Sequence, residues 1–171
     1  MNKSAGFTLV ELIITIAIAA IVLVLGVPSF QDTIRNNQLA TQTNQFVSAL
    51  NLARSEAIKR GVRVTLCISA DAQNCTADDE HGYEQGWIIF VDPNNKATVD
   101  VGEEIIRVFG AIASMGMKVH GNSHIANSIS YKANGMTGLA DAGTLTLCKA
   151  PKARQIVISS TGRVRIQEAT C

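Results

Sequence analysis

Phe7-Thr-Leu-Val-Glu11-Leu-Ile-Ile-Thr-Ile16-Ala-Ile-Ala-Ala-Ile21-Val-Leu-Val-Leu-Gly26-Val-Pro-Ser-Phe30 is the stretch that decides how this chain is built. Glu11 is its only charged residue, and Leu12–Val27 is an unbroken apolar run whose one hydroxyl belongs to Thr15. As a helix the run is about 24 Å long at about 1.5 Å per residue. Phe7, Leu9 and Val10 extend it toward the roughly 30 Å hydrocarbon thickness of a bilayer. A cleaved secretory signal and a retained anchor both begin this way. The signal needs a small-residue cleavage site after the run, and Gly26-Val-Pro-Ser-Phe30 is a poor one. A carboxylate within such a segment costs a few kcal/mol, so Glu11 needs a partner unless it snorkels to the interface. The balance favours an anchor.

The residues around that glutamate carry a resemblance. Met1-Asn-Lys-Ser-Ala-Gly6 followed by Phe7-Thr-Leu-Val-Glu11-Leu12 is similar to the processing site of type IV prepilins and type II secretion pseudopilins. The resemblance implies a leader at residues 1–6, cleavage after Gly6 by a prepilin peptidase, and methylation of Phe7 as the new N-terminus. It also implies that Glu11 serves subunit assembly. Pairing with the N-terminal amine of a neighbouring subunit would partly cancel two buried charges. Pro28 falls where many pilins carry a helix-loosening proline. Lys3 precedes the run, so positive-inside reasoning leaves the N-terminus cytoplasmic and the rest periplasmic. The expected location is the inner membrane, single-pass, and the pilus after assembly.

Working outward, residues 7–30 read as a membrane-spanning and pilus-core helix and 31–61 as its amphipathic extension. Phe46, Val47, Leu50, Ala53, Ala57 and Ile58 recur mostly at helical spacing. Lys59-Arg60 close the pattern, and Gly61 is the stop. Arg35–Asn44 is polar and is expected to be bent or loose. After Gly61 the period changes. Val62–Ile68, Trp87–Val91, Ile105–Phe109, Ser128–Tyr131, Thr144–Cys148, Gln155–Ser159 and Arg163–Gln167 read as seven short strands between turn residues. The expected fold class is α+β, a long N-terminal helix packed on an antiparallel β-sheet head at residues 62–171.

Leu50-Asn-Leu-Ala-Arg-Ser-Glu-Ala-Ile-Lys-Arg-Gly61, Gly86-Trp-Ile-Ile-Phe-Val-Asp92, Glu104-Ile-Ile-Arg107 and Ser159-Ser-Thr-Gly-Arg-Val-Arg165 narrow the resemblance to the GspH/FimT family of pseudopilins and minor pilins. Arg54 and Glu56 within the first of these read as a solvated face at the end of the helix. The four cysteines, in an oxidising compartment, are expected to be bonded. Four allow three pairings. Cys67 with Cys75 closes a short loop after a strand, and Cys148 with Cys171 then ties the last residue to a strand.

No catalytic constellation is present, and neither a cofactor nor a metal is expected. His120 and His124 are four apart, but Gly121 and Asn122 argue against a helical metal face, and His81 lies in an acidic loop. These histidines read as surface-loop residues. Asp92-Pro-Asn-Asn-Lys-Ala-Thr-Val-Asp100-Val-Gly-Glu-Glu104 gathers oxygen ligands of the kind calcium takes, without the spacing of a helix–loop–helix calcium site. It reads as a solvated hairpin.

The chain has 171 residues, 47% of them hydrophobic and 17% charged. It is too apolar to be disordered or a coiled coil. Its net charge of +1 gives no global sign of nucleic-acid binding. The charges are nonetheless segregated. Residues 64–104 hold nine acids and one base, a balance of −8, whereas 105–171 hold eight bases and two acids, or +6. Lys149, Lys152, Arg154, Arg163 and Arg165 all fall in the second part. If the last two segments pair as a hairpin, these five are expected to form one patch, with Arg163 and Arg165 on one side of a strand. Arginine forks suit phosphate oxygens. FimT-like minor pilins are associated with DNA uptake, and a Gly-Arg-x-Arg element with DNA contact; Gly162-Arg163-Val164-Arg165 has that pattern. The resemblance thus implies a minor pilin that binds double-stranded DNA during natural transformation, with other pilins, prepilin peptidase and the inner membrane as further partners. The alternatives are a GspH-like pseudopilin of a type II secretion system and a priming or tip subunit without a ligand. The rival reading of the arginines is that they pair with the acidic loop or solvate an edge strand.

Overall fold

The computed structural model describes residues 7–76, 82–112 and 116–171. The expected leader 1–6 with Gly6, and His81, lie outside the described residues. The chain divides into two compact units, Met1–Gln38 and Leu39–Cys171, and helix α1 (Leu9–Arg60) contributes to both.

The start of α1 is local chemistry. Thr8 and Glu11 form a Thr-x-x-Glu capping box. Glu11 Oε2 accepts the Thr8 N–H at 3.0 Å and the Thr8 hydroxyl at 2.9 Å, and the Glu11 N–H donates to Thr8 Oγ1 at 3.3 Å. The box satisfies backbone donors that an apolar surrounding would leave orphaned, so the glutamate has a partner within its own chain. From Leu9 to Phe30 every large apolar side chain is exposed, which suits a segment that meets lipid or other helices instead of its own core. Among the described residues this is the one helix long and apolar enough to cross a membrane. At its other end Lys59 and Arg60 occupy the last turn. Gly61 takes a left-handed φ of 65°, the conformation that commonly ends a helix.

Arg35–Asn44, expected to be bent or loose, is helical throughout. Its polar residues do not interrupt the helix because tertiary burial begins there. Leu39, Gln42 and Thr43 are buried, and the Thr43 hydroxyl bonds back to the Leu39 carbonyl at 2.6 Å.

In the Leu39–Cys171 unit, Leu39, Phe46, Ala49, Leu50, Ala53 and Ala57 line one buried face of α1. The alanines are fully buried on this face, and Phe46 fills its centre. Its ring meets Tyr83 edge-on at 5.3 Å and Trp87 at 4.6 Å, and Trp87 stacks on Phe109 at 5.1 Å.

The strands are β1 (Val64–Ile68), β2 (Trp87–Val91), β3 (Ile105–Phe109), β4 (Lys118–Gly121), β5 (Ser128–Tyr131), β6 (Gly143–Lys149), β7 (Lys152–Ile158) and β8 (Val164–Thr170). They form two antiparallel four-stranded sheets, ordered β3-β2-β1-β5 and β4-β6-β7-β8. All seven expected strands are present, and the eighth, β4, was not anticipated. Its Lys-Val-His-Gly has one apolar residue, Val119, too few to display a period. His120 therefore lies on a strand, not in a loop as expected, and its side chain is exposed.

β1 is buried on both faces. Val64, Leu66 and Ile68 join the helix-side core, whereas Cys67 packs with Ile88, Phe90, Cys75, Val99 and Ile105 in a smaller cluster on the far side. Cys67 is bonded to Cys75 and Cys148 to Cys171, and no described cysteine is free.

The two tyrosines are both fully buried. Tyr83 donates to the Ile125 carbonyl at 2.9 Å, whereas the Tyr131 hydroxyl has no partner among the described residues. Burial pushes the Tyr131 phenol up to about 12 and Tyr83 well above the ordinary tyrosine range. A raised phenol pKa leaves stability intact below the unfolded value of about 10. Above it the unfolded chain loses protons that the folded chain retains, so stability falls as pH rises toward the folded value. The expected result is no tyrosinate absorbance from the folded protein between about pH 10 and 11, with ionisation and unfolding coinciding above that. A simple titration of both phenols near 10 would contradict the burial.

Candidate nucleic-acid interface

The hairpin expected in the C-terminal third is present, and it determines which cations meet. β7 and β8 pair with Ile156 opposite Ile166, Val157 opposite Arg165 and Arg154 opposite Glu168. On the β6 side Leu147 faces Arg154 and Lys149 faces Lys152. Paired residues share a face of the sheet and successive residues alternate. Lys149, Lys152 and Arg154 therefore lie on the same face as the buried Leu145, Leu147, Ile156 and Ile158, toward the Ala150-Pro151 turn. Arg165 lies on the opposite face, and Arg163, just before β8, continues its alternation. β7 separates the two ends by about 20 Å at roughly 3.3 Å per residue.

The expected single patch of five cations is thus two groups. The reason is period-two geometry: even-numbered residues of β7 and β8 turn to the core side and odd-numbered ones away. Lys152 is exposed, and Lys149 and Arg154 are half-buried. Arg163 and Arg165 are exposed together, with Val164 packed against the core between them. Ile166 follows Val164 onto the core-side face but stays 42% exposed, because β8 is the last strand of its sheet.

The described acids of residues 64–104 are engaged within their own segments or with α1 and β4. Asp71 accepts from the Asn74 and Gln73 amides at 2.8 and 2.9 Å. These bonds, the Asn74 amide first, hold its carboxyl far below the usual range. Glu84 accepts the Val119 amide at 2.9 Å. Buried Asp92 accepts the Thr65 hydroxyl at 2.7 Å and the Lys96 and Ala97 amides at 3.1 and 3.2 Å. Asp100 pairs with Lys96 at 2.7 Å, and Glu103 accepts the Asp100 amide at 2.9 Å. Glu104 accepts both terminal nitrogens of Arg60, at 2.7 and 3.0 Å, which lowers its pKa. The oxygen-rich loop from Asp92 to Glu104 is therefore tied by its own amides and by a lysine. Among the described residues no three His, Cys, Asp or Glu converge as metal ligands.

Arg163 has no ion pair among the described residues, and Arg165 reaches only the Gln167 side chain, at 3.3 Å. The described acids of residues 64–104 do not neutralise them.

Arg54 is the residue that sequence reasoning missed. Instead of lying on a solvated face, it donates from Nη1 to the Gly162 carbonyl at 3.1 Å and from Nη2 to the Thr161 carbonyl at 3.3 Å. These partners lie 108 and 107 residues away, and no local pattern encodes such a contact. Glu56 does stay local, pairing with Arg60 and Lys59.

Comparison with known proteins agrees with this architecture. The family described as type II transport protein GspH matches residues 42–162, and the prokaryotic N-terminal methylation motif matches residues 1–27. A fimbrial protein of Pseudomonas aeruginosa is 36% identical over 116 residues, 68% of this chain and 71% of that one. A fimbrial protein of Moraxella nonliquefaciens is 33% identical over 101 residues, 58% of this chain, and the match spans only 56% of that relative's length. The fold is that of the type IV minor pilin FimU of Pseudomonas aeruginosa (strain PAO1). Its TM-score is 0.59 at 18% identity, covering 78% of this chain and 90% of that one. Family and fold are those of structural, non-enzymatic subunits that associate with other pilins, and the apolar helix with its methylation motif is consistent with membrane anchoring and pilus incorporation. The chain belongs to the GspH/FimT family and is a minor type IV pilin or pseudopilin.

Proposed function

We propose that this protein is a minor type IV pilin whose head binds double-stranded DNA without sequence preference, through the phosphate backbone, for uptake in natural transformation. The observation that carries the reading is the exposed pair Arg163 and Arg165 on one face of an edge strand, with no carboxylate neutralising it among the described residues. Phosphate contacts from such side chains bind without reading bases. Lys149, Lys152 and Arg154 form a second, separate cationic group in this reading. The protein acts as a structural subunit and catalyses nothing.

The same reading takes residues 1–6 as a leader cut after Gly6 by prepilin peptidase, with Phe7 methylated. The helix from Phe7 then anchors the chain once in the inner membrane, head outward, before assembly. Glu11, held by Thr8 in the isolated chain, would exchange that partner for a neighbour's N-terminal amine in the fibre. An intact Met1 on membrane-extracted protein from pilus-producing cells would count against the processing.

DNA binding is tested by titrating labelled duplex DNA with the full chain in uncharged detergent micelles over a range of salt. Affinity should fall with salt, and Arg163→Ala/Arg165→Ala should lower the slope of log K against log salt by about 1.8, roughly 0.9 for each phosphate contact. An unchanged slope in a folded double variant overturns the site, and no binding at low salt overturns the DNA reading. The match to the GspH description favours one second reading, a type II secretion pseudopilin. Neighbouring pilus or secretion genes separate the two.

A further inference from the structure

The turn that delivers Arg163 presents an unusual backbone. Its four carbonyls, from Ser159 to Gly162, are all drawn into hydrogen bonds behind it. Ser159 O accepts the Thr137 hydroxyl at 3.0 Å and Ser160 O accepts the Gly138 amide at 3.1 Å. Arg54 takes the remaining two, Thr161 O and Gly162 O. The N–H groups of Ser160 and Thr161, by contrast, have no acceptor among the described residues, and the Thr161 and Arg163 side chains are exposed beside them. Carbonyl oxygens repel a phosphate, and free amides attract one. A turn with its carbonyls withdrawn and its amides unpaired offers an anion one sign of charge.

The supports behind the turn are tight. Gly162 has φ of 77°, and a Cβ there would strike the Gly135 carbonyl. Gly135 has φ of 75°, and a Cβ there would lie 2.7 Å from Ile58 Cδ1 and 3.2 Å from Arg54 Nε. Helix residues 54 and 58, the loop at 135–138 and the turn are thereby fitted to one another. Arg54 is the member that holds two carbonyls with one planar fork, which a lysine cannot reproduce.

We propose that Arg54 is a positioning residue for the DNA-binding turn: without touching DNA, it holds the Thr161 and Gly162 carbonyls away from the phosphate that Arg163 meets. The proposal rests on the DNA-binding reading above and goes beyond it by making affinity depend on the helix.

A double-mutant cycle on the full chain in detergent tests it, using Arg54→Gln, Arg163→Ala and the two combined, with labelled duplex DNA as probe. Each single change should weaken binding by about fivefold, and the combination should be little worse than Arg163→Ala alone, because contacting groups in one network are not additive. Independent, multiplicative losses overturn the proposal, as does parent-level binding by Arg54→Gln. Arg54→Lys keeps the charge and loses the fork, so it should lose most of the same affinity; parent-level binding by this variant also overturns it. Thermal unfolding is recorded for every variant, and Arg54→Lys carries the test if Arg54→Gln does not fold. If Arg163→Ala/Arg165→Ala binds like the parent, the Arg163/Arg165 site itself fails, and if the parent does not bind at low salt the DNA-binding reading fails. If that pair loses binding and the Arg54 variants do not, only the positioning role fails.

Discussion

Phe46→Ala destabilises the Leu39–Cys171 unit by about 3–5 kcal/mol, the range for truncating a buried phenylalanine. Phe46 is fully buried and sits where the helix, Tyr83 and Trp87 converge. Truncation removes the ring's transfer free energy and leaves a cavity, and it deletes two aromatic contacts worth roughly 0.5–1.5 kcal/mol each beyond area. Collapse into the gap is restricted because Trp87 is already stacked on Phe109. Denaturant unfolding followed by the fluorescence of the chain's one tryptophan, Trp87, reports the change at its source. A loss below about 1 kcal/mol would mean that the site repacks freely. Since typical domains have only about 5–15 kcal/mol in total, the variant is expected to be marginal at growth temperature.

Gly162→Ala carries the second large effect, about 3 kcal/mol, and couples stability to the candidate site. The left-handed conformation costs an alanine about 1–2 kcal/mol. Its Cβ also meets the Gly135 carbonyl, with Tyr131 Cε1 at 3.2 Å, so the turn must separate from the loop behind it. That separation sacrifices the Thr137–Ser159 and Gly138–Ser160 hydrogen bonds. Each is worth about 1 kcal/mol. Gly61→Ala is the control. Its φ of 65° has the same sign, but the space around its Cβ is open. Only the conformational penalty of about 1–2 kcal/mol therefore applies. Thermal melts of the two variants should rank them in that order. Duplex binding should weaken in Gly162→Ala alone, because only that change moves the turn leading into Arg163. Equal losses of stability would show that the packing against Gly135 contributes nothing.

Much of the architecture is legible in the linear chain because it rests on short-range signals. Apolar continuity marks the long N-terminal helix, and glycine with flanking bases ends it. Period-two alternation marks most of the strands. Where the local signal fails, the reason is identifiable. β4 has a single apolar residue, and Arg35–Asn44 is a polar sequence held helical by burial of Leu39, Gln42 and Thr43. The basic residues show the limit more sharply. Sequence proximity places five cations in one region, but strand alternation assigns Arg163 and Arg165 to one face and Lys149, Lys152 and Arg154 to the other.

By itself, then, the sequence determined the apolar N-terminal helix, the family, the helix limits and most of the strands, since each depends on residues within a few positions of one another. Only the tertiary structure decided which charges remain available. The described acids of residues 64–104 turn to amides, hydroxyls and bases, some a few positions away and others, such as the Val119 amide for Glu84 and Arg60 for Glu104, brought by folding, while Arg163 and Arg165 have no ion pair among the described residues. It also decided the contacts of Arg54, whose partners lie more than a hundred residues away. A hydrogen bond between a helix and a distant turn depends on where the sheets place that turn, and no periodicity in the chain records it.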